Sequence, residues 1–73
     1  MQVKIICSDE EVAFEGHMQA ESHLEIIQYA KEEAKRRDMP IQLEIYGKGV
    51  WSITPDGRTM RGALFHYRPG KRR

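Results

Sequence analysis

Apolar and polar residues alternate along several short stretches of the chain, and in one place they follow a helical repeat instead. From Gln2 to Cys7, Val3, Ile5 and Cys7 fall on one side, a period of two that predicts a strand. Ile6 is an apolar residue on the opposite side, so both faces should be partly covered. Ser8-Asp9-Glu10 suits a turn. Glu11 to Glu15 alternates again, with Val12 and Phe14 expected inward and Glu11, Ala13 and Glu15 outward. The two stretches should pair as an antiparallel hairpin.

Gly16 to Glu21 is a connector, and a helix is predicted over Ser22–Arg37. Ser22-His23-Leu24-Glu25 has the spacing of a reciprocal cap between the serine hydroxyl and the glutamate. Leu24, Ile27, Ala30 and Ala34 should share one face, flanked by His23 and Ile26. Glu32 and Glu33 precede Arg36 and Arg37 by four residues, the spacing of favourable ion pairs. Lys35, Arg36 and Arg37 compensate the negative end of the helix dipole. Met39-Pro40 ends the helix, because a residue before proline avoids the helical region.

Three further strands are expected. Ile41 to Tyr46 places Ile41, Leu43 and Ile45 on one side. Gly47-Lys48-Gly49 is a short hairpin connection into Val50 to Thr54, where Trp51 and Ile53 share a face. Thr54-Pro55-Asp56-Gly57 is a strong turn, and Arg58 to Arg68 is then a long last strand. Thr59, Arg61, Ala63, Phe65 and Tyr67 share one side of it, and Gly62 marks a bulge or a close approach. The order β-β-α-β-β-β, with short connections, predicts an α+β fold in which a single helix packs on an antiparallel sheet. Residues 1–68 should form one domain, and 69–73 a basic, disordered C-terminal tail.

Composition narrows the picture by exclusion. The chain has 73 residues and one cysteine, Cys7, so it holds no internal disulfide, and a cytoplasmic setting is expected. It has no apolar run long enough to span a bilayer. The formal net charge of +1 is a cancellation. Residues 1–33 sum to −6 and residues 34–73 to +7, with four cations (Arg68, Lys71, Arg72, Arg73) in the last six residues. Such asymmetry raises the question of an acidic or polyanionic partner, met by one end of the molecule only.

Catalytic chemistry has little footing. Cys7, His17, His23 and His66 lack zinc-site spacing, and no metal or other cofactor is expected. Gly47-Lys48-Gly49 lacks the spacing and the following helix of a phosphate-binding loop. His66 is the best titrating candidate, but one strand histidine does not make an active site, and neither an enzyme nor a small-molecule substrate is expected. The aromatic residues Tyr46, Trp51, Phe65 and Tyr67 are interleaved with Lys48, Arg58, Arg61 and Arg68. Rings and cations together suit single-stranded nucleic acid, and Trp, Tyr and Arg also dominate protein–protein contacts. Trp51 is expected in the core, as the largest hydrophobe of a small domain. The candidate partner-binding residues are Lys48, Arg58, Arg61, Phe65, His66, Tyr67, Arg68, Lys71, Arg72 and Arg73. Arg61, Phe65 and Tyr67 are expected to form one patch on the helix-free face.

In general build the chain resembles small phage-encoded host-takeover proteins, among them RNA polymerase inhibitors, antiterminators and some anti-CRISPR proteins. The points of likeness are the amphipathic helix Ser22–Arg37 and a Trp-bearing hairpin running into an Asp-Gly turn and a basic end, Tyr46-Gly47-Lys48-Gly49-Val50-Trp51-Ser52-Ile53-Thr54-Pro55-Asp56-Gly57-Arg58. The resemblance is one of architecture. It implies a non-enzymatic protein that binds a large host assembly, most concretely bacterial RNA polymerase, and alters it. The alternative is a direct single-stranded RNA or DNA binder using the basic and aromatic C-terminal hairpin. A toxin–antitoxin partner or assembly subunit is a third.

Overall fold

The computed structural model of the protein describes residues 1–63. Strand β1 spans Gln2–Cys7 and β2 Val12–His17. Helix α1 spans His23–Arg37. Strands β3 (Ile41–Ile45), β4 (Gly49–Ile53) and β5 (Thr59–Arg61) follow. The sheet order is β2-β1-β3-β4-β5, and every neighbouring pair is antiparallel. This is the expected α+β architecture, with one helix on one face of an antiparallel sheet. Among the described residues no helix is long and apolar enough to cross a membrane.

The alternation places Val3, Ile5 and Cys7 of β1 under the helix with Ile41, Leu43 and Ile45 of β3 and Trp51 and Ile53 of β4. From above, α1 contributes Ile26, Ala30 and Ala34 and packs over β3 and β4. These three residues recur every four positions and form one stripe. Two of them are alanines, which let the helix axis approach the sheet closely. Leu24, expected in this stripe, is 66% exposed. At 3.6 residues per turn it lies roughly 200° around the helix from Ile26, on the solvent side.

The first hairpin departs from simple alternation. Ile5 pairs with Phe14, but Ile6 pairs with Val12, so Ala13 is an extra residue in β2. A bulge of this kind reverses the facing of everything beyond it. Phe14 keeps its expected place against the core, whereas Val12 turns to the helix-free side and is 46% exposed. The serine cap is also altered. Ser22 has extended dihedrals but makes no side-chain cap bond. The Glu25 carboxylate reaches one residue further back, to the Glu21 N–H at 3.3 Å. At the other end Asp38 adopts a left-handed conformation, φ 55°.

The last strand is shorter than the alternation implies. β5 ends at Arg61, Gly62 turns to φ 123°, and its N–H donates to the Val50 carbonyl at 2.8 Å. The expected continuation to Arg68 and the tail 69–73 lie outside the described residues.

Glu33, not Glu32, gathers the basic end of the helix. Its carboxylate accepts from Arg36 at 2.7 Å and from Arg37 at 3.0 Å. The Arg36 hydrogen bond, joined by that from Arg37, outweighs desolvation and holds the Glu33 carboxyl below its ordinary value of 4.5. The resulting stabilisation is full above that value and is lost as pH falls through the depressed folded value. Glu33→Gln should therefore lower the urea midpoint at pH 7, and the gap to the parent should close in acid. Ala30→Leu should cost roughly 1–3 kcal/mol by overpacking the helix–sheet contact, read as a lower urea midpoint at unchanged slope.

Candidate functional site

The β3–β4 connection, Tyr46 to Lys48, projects from one end of the sheet. The Tyr46 N–H donates to the Gln2 carbonyl at 2.9 Å, and the Lys48 N–H to that of Ile45 at 2.9 Å. Gly47 between them takes φ 83°, a left-handed conformation that suits glycine. The chain therefore turns before Tyr46 can continue the strand, and its ring is 87% exposed. Beside the turn lies an open groove of about 500 Å³, whose lining includes Lys4, Glu15, Glu44, Tyr46, Lys48 and Val50.

Arg61 closes the other side of the turn. In β5 it pairs directly with Trp51, so the two share a face, and that face bears the helix. This corrects the expected helix-free facing of Arg61; Phe65 and Tyr67, the other members of that patch, lie outside the described residues. The facing of β5 follows from hairpin register, which alternation within the strand does not fix. The Arg61 guanidinium carbon lies 4.9 Å from the Trp51 ring centroid, and Nη2 donates to the Lys48 carbonyl at 2.9 Å. Gly49 makes room for it: a Cβ there would sit 2.7 Å from Nη2. His23, the first helical residue, stacks on the same indole, with centroids 5.6 Å apart and planes at 22°. Trp51 itself is 7% exposed, in keeping with its expected core place.

Of the sequence-predicted site residues, the fold brings Lys48 and Arg61 together. Arg58 lies at the opposite end of β4, after the Thr54–Asp56 turn, where its N–H donates to Thr54 Oγ1 at 3.1 Å. The Thr54 hydroxyl also donates to Asp56 and, as the main cause, holds that carboxyl below its ordinary value. Phe65, His66, Tyr67, Arg68, Lys71, Arg72 and Arg73 lie outside the described residues. Lys4, Gly49 and His23 belong to this neighbourhood without a sequence signal, because their proximity comes from strand order and helix placement.

Charge separates the arginines into two kinds. Arg36 and Arg37 are spent on Glu33, and Arg37 also comes within 4.0 Å of Glu11. Arg58 and Arg61 have no carboxylate within ion-pair distance among the described residues, and neither has Lys48. The other reactive group of note, Cys7, is fully buried. Burial pushes its thiol up, against the pull of Arg37, so it stays protonated at neutral pH and is a poor nucleophile. Among the described residues no three His, Cys, Asp or Glu side chains converge as a metal site requires.

The fold and the site define a single-helix antiparallel α+β module with a cationic and aromatic turn at one end. No family model matches the chain, and no curated protein and no solved structure matches it.

Gly49→Ala should displace Arg61, because the new methyl takes the guanidinium's place and φ 144° strains an L-residue. The expected outcome is a stability loss of about 1 kcal/mol or more and altered Trp51 fluorescence, read by urea titration followed by emission.

Proposed function

We propose that the protein is a non-enzymatic binding module that docks on a protein partner through the β3–β4 turn and β5. Concretely, it is a small regulator that binds bacterial RNA polymerase and alters its activity. The observation that carries this reading is that Arg61 is held by hydrogen bond to the Lys48 backbone carbonyl, and neither residue has a carboxylate within ion-pair distance among the described residues. An unmatched arginine beside a turn that bears an 87% exposed tyrosine supplies two of the residue types that carry binding energy at protein interfaces.

A protein surface fits better than a nucleic-acid backbone. The full chain carries 12 Lys and Arg against 11 Asp and Glu, so it is close to neutral, whereas nucleic-acid-binding domains are typically strongly basic. Glu15 and Glu44 line the groove beside Lys48. A run of phosphates crossing this end would meet the Glu15 and Glu44 carboxylates in the same groove as Lys48. A protein surface of mixed charge can place acids against Lys48 and Arg61 and bases against Glu15. The resemblance to phage host-takeover proteins names RNA polymerase as the partner to test first.

The immobilised full chain should retain RNA polymerase from a bacterial lysate and change the yield of a transcription assay with purified enzyme. Lys48→Ala and Arg61→Ala should each weaken retention roughly tenfold or more. Absence of polymerase from the retained fraction would reject that partner. Binding to single-stranded oligonucleotides with a steep fall in log K against log salt would replace the protein reading with the nucleic-acid one.

A further inference from the structure

We infer that Arg61 is a pre-organised carboxylate anchor, built to take an Asp or Glu side chain of the partner on its guanidinium fork. This inference rests on the protein-binding reading above and names the chemistry of its central contact. A guanidinium carries five N–H donors in one plane. One of the groups bearing them, Nη2, is committed to the Lys48 carbonyl at 2.9 Å. No carboxylate among the described residues takes any of the others. The side chain is nevertheless held in place. Its backbone is fixed opposite Trp51 by the β4–β5 register, its guanidinium carbon lies 4.9 Å from the indole centroid, and Gly49 lets it lie against the turn without a side chain between.

Such immobilisation changes what an arginine can contribute to binding. A free arginine on a surface loses rotamer freedom when it engages a ligand, roughly 0.5–1.5 kcal/mol for an immobilised long side chain. In Arg61 the Lys48 hydrogen bond and the indole contact restrict part of that freedom before a ligand arrives. The indole is in turn steadied by stacking on His23, so the platform is anchored to the helix as well as the sheet. The planar fork matches a carboxylate by two parallel hydrogen bonds, which a lysine ammonium cannot reproduce. Lys48, whose carbonyl holds the fork, places a second cation on the same turn. A single carboxylate engages the fork alone, whereas an extended polyanion at this end also meets Glu15 and Glu44, which line the groove beside Lys48.

The test is a titration of the isotope-labelled full chain with a short end-blocked poly-aspartate peptide, followed by NMR. The Arg61 Nε–H, the Trp51 indole N–H and the Lys48 amide should shift together, and the peptide should displace captured polymerase. Arg61→Lys keeps the charge and the aliphatic stem. It should leave the unfolding midpoint nearly unchanged yet weaken the peptide roughly tenfold or more. Lys48→Ala leaves the stack in place and should weaken the peptide while the Trp51 signal stays at its parent position. Equal affinity of Arg61→Lys and parent would overturn the anchor, as would shifts confined to Arg36 and Arg37. Tighter binding of oligothymidylate to the same signals would overturn it in favour of phosphate. Polymerase capture insensitive to Arg61→Lys would reject the anchor and keep the binding module. Peptide binding at Arg61 without polymerase capture would support the anchor and reject that partner.

Discussion

One helix has to cover a five-stranded sheet, and it is too narrow to do so. The outer strands of such a sheet lie roughly 19 Å apart at ~4.8 Å per step, whereas a helix with its side chains is about 10 Å across. The stripe of Ile26, Ala30 and Ala34 settles over β3 and β4, where it seals the aliphatic centre. The margins need other cover. On the β2 side Phe14, Met1 and Met18 pack against the core. On the β5 side the largest core residue, Trp51, is covered by two polar side chains, the His23 ring and the Arg61 guanidinium. The candidate site is therefore a consequence of how the core is closed. Its cation is part of the lid on the indole and is at the same time exposed to solvent.

The same economy governs the charges. The strong asymmetry between −6 and +7 along the sequence is partly consumed when the chain folds. Glu33 draws in Arg36 and Arg37, and Glu11 from the first hairpin approaches Arg37 as well. That joins the acidic hairpin to the basic helix end and partly neutralises three of the mid-chain charges, Glu33, Arg36 and Arg37. Charges exposed at the far hairpins have no such exchange. The asymmetry left on the folded surface is thus smaller than the sequence total, and strand order sets its layout: Lys48 shares the groove with Glu15 of β2, whereas Arg61 lies on the β5 side.

Much of this was legible because strands announce themselves by a period of two. The inward sets Val3-Ile5-Cys7, Ile41-Leu43-Ile45 and Trp51-Ile53 follow from alternation alone, and the turns at Gly47 and Gly57 from their residue types. The misplaced residues share one cause, a phase that local pattern does not fix. Ala13 inserts a step that sends Val12 outward, and nothing in Glu11 to Glu15 marks it. Leu24 fits a helical repeat as well as Ile26 does, and only the placement of the sheet chooses between them. Arg61 alternates correctly with Thr59, but the face of both depends on the register with Trp51 and Ile53. Lys48 and Arg61 were legible as candidates by residue type. Their contact, and the role of Gly49 in permitting it, were not.

That contact ties the sealing of the core to an exposed cation at one point. Gly49, Trp51 and Arg61 lie on two adjacent strands, and each makes the position of the others possible: the glycine leaves the space, the indole supplies the face, and the guanidinium closes both. A lysine at 61 would cover part of the indole with its methylenes and keep the charge, but it would present a mobile ammonium in place of a fixed plane. An alanine at 49 would keep the hairpin's length but push the plane off the ring. Selection for a sealed core would be content with any apolar residue over Trp51. An arginine there costs dehydration of part of a cation and gains little packing that leucine would not give. The choice makes physical sense where the face turned to solvent has a carboxylate to meet.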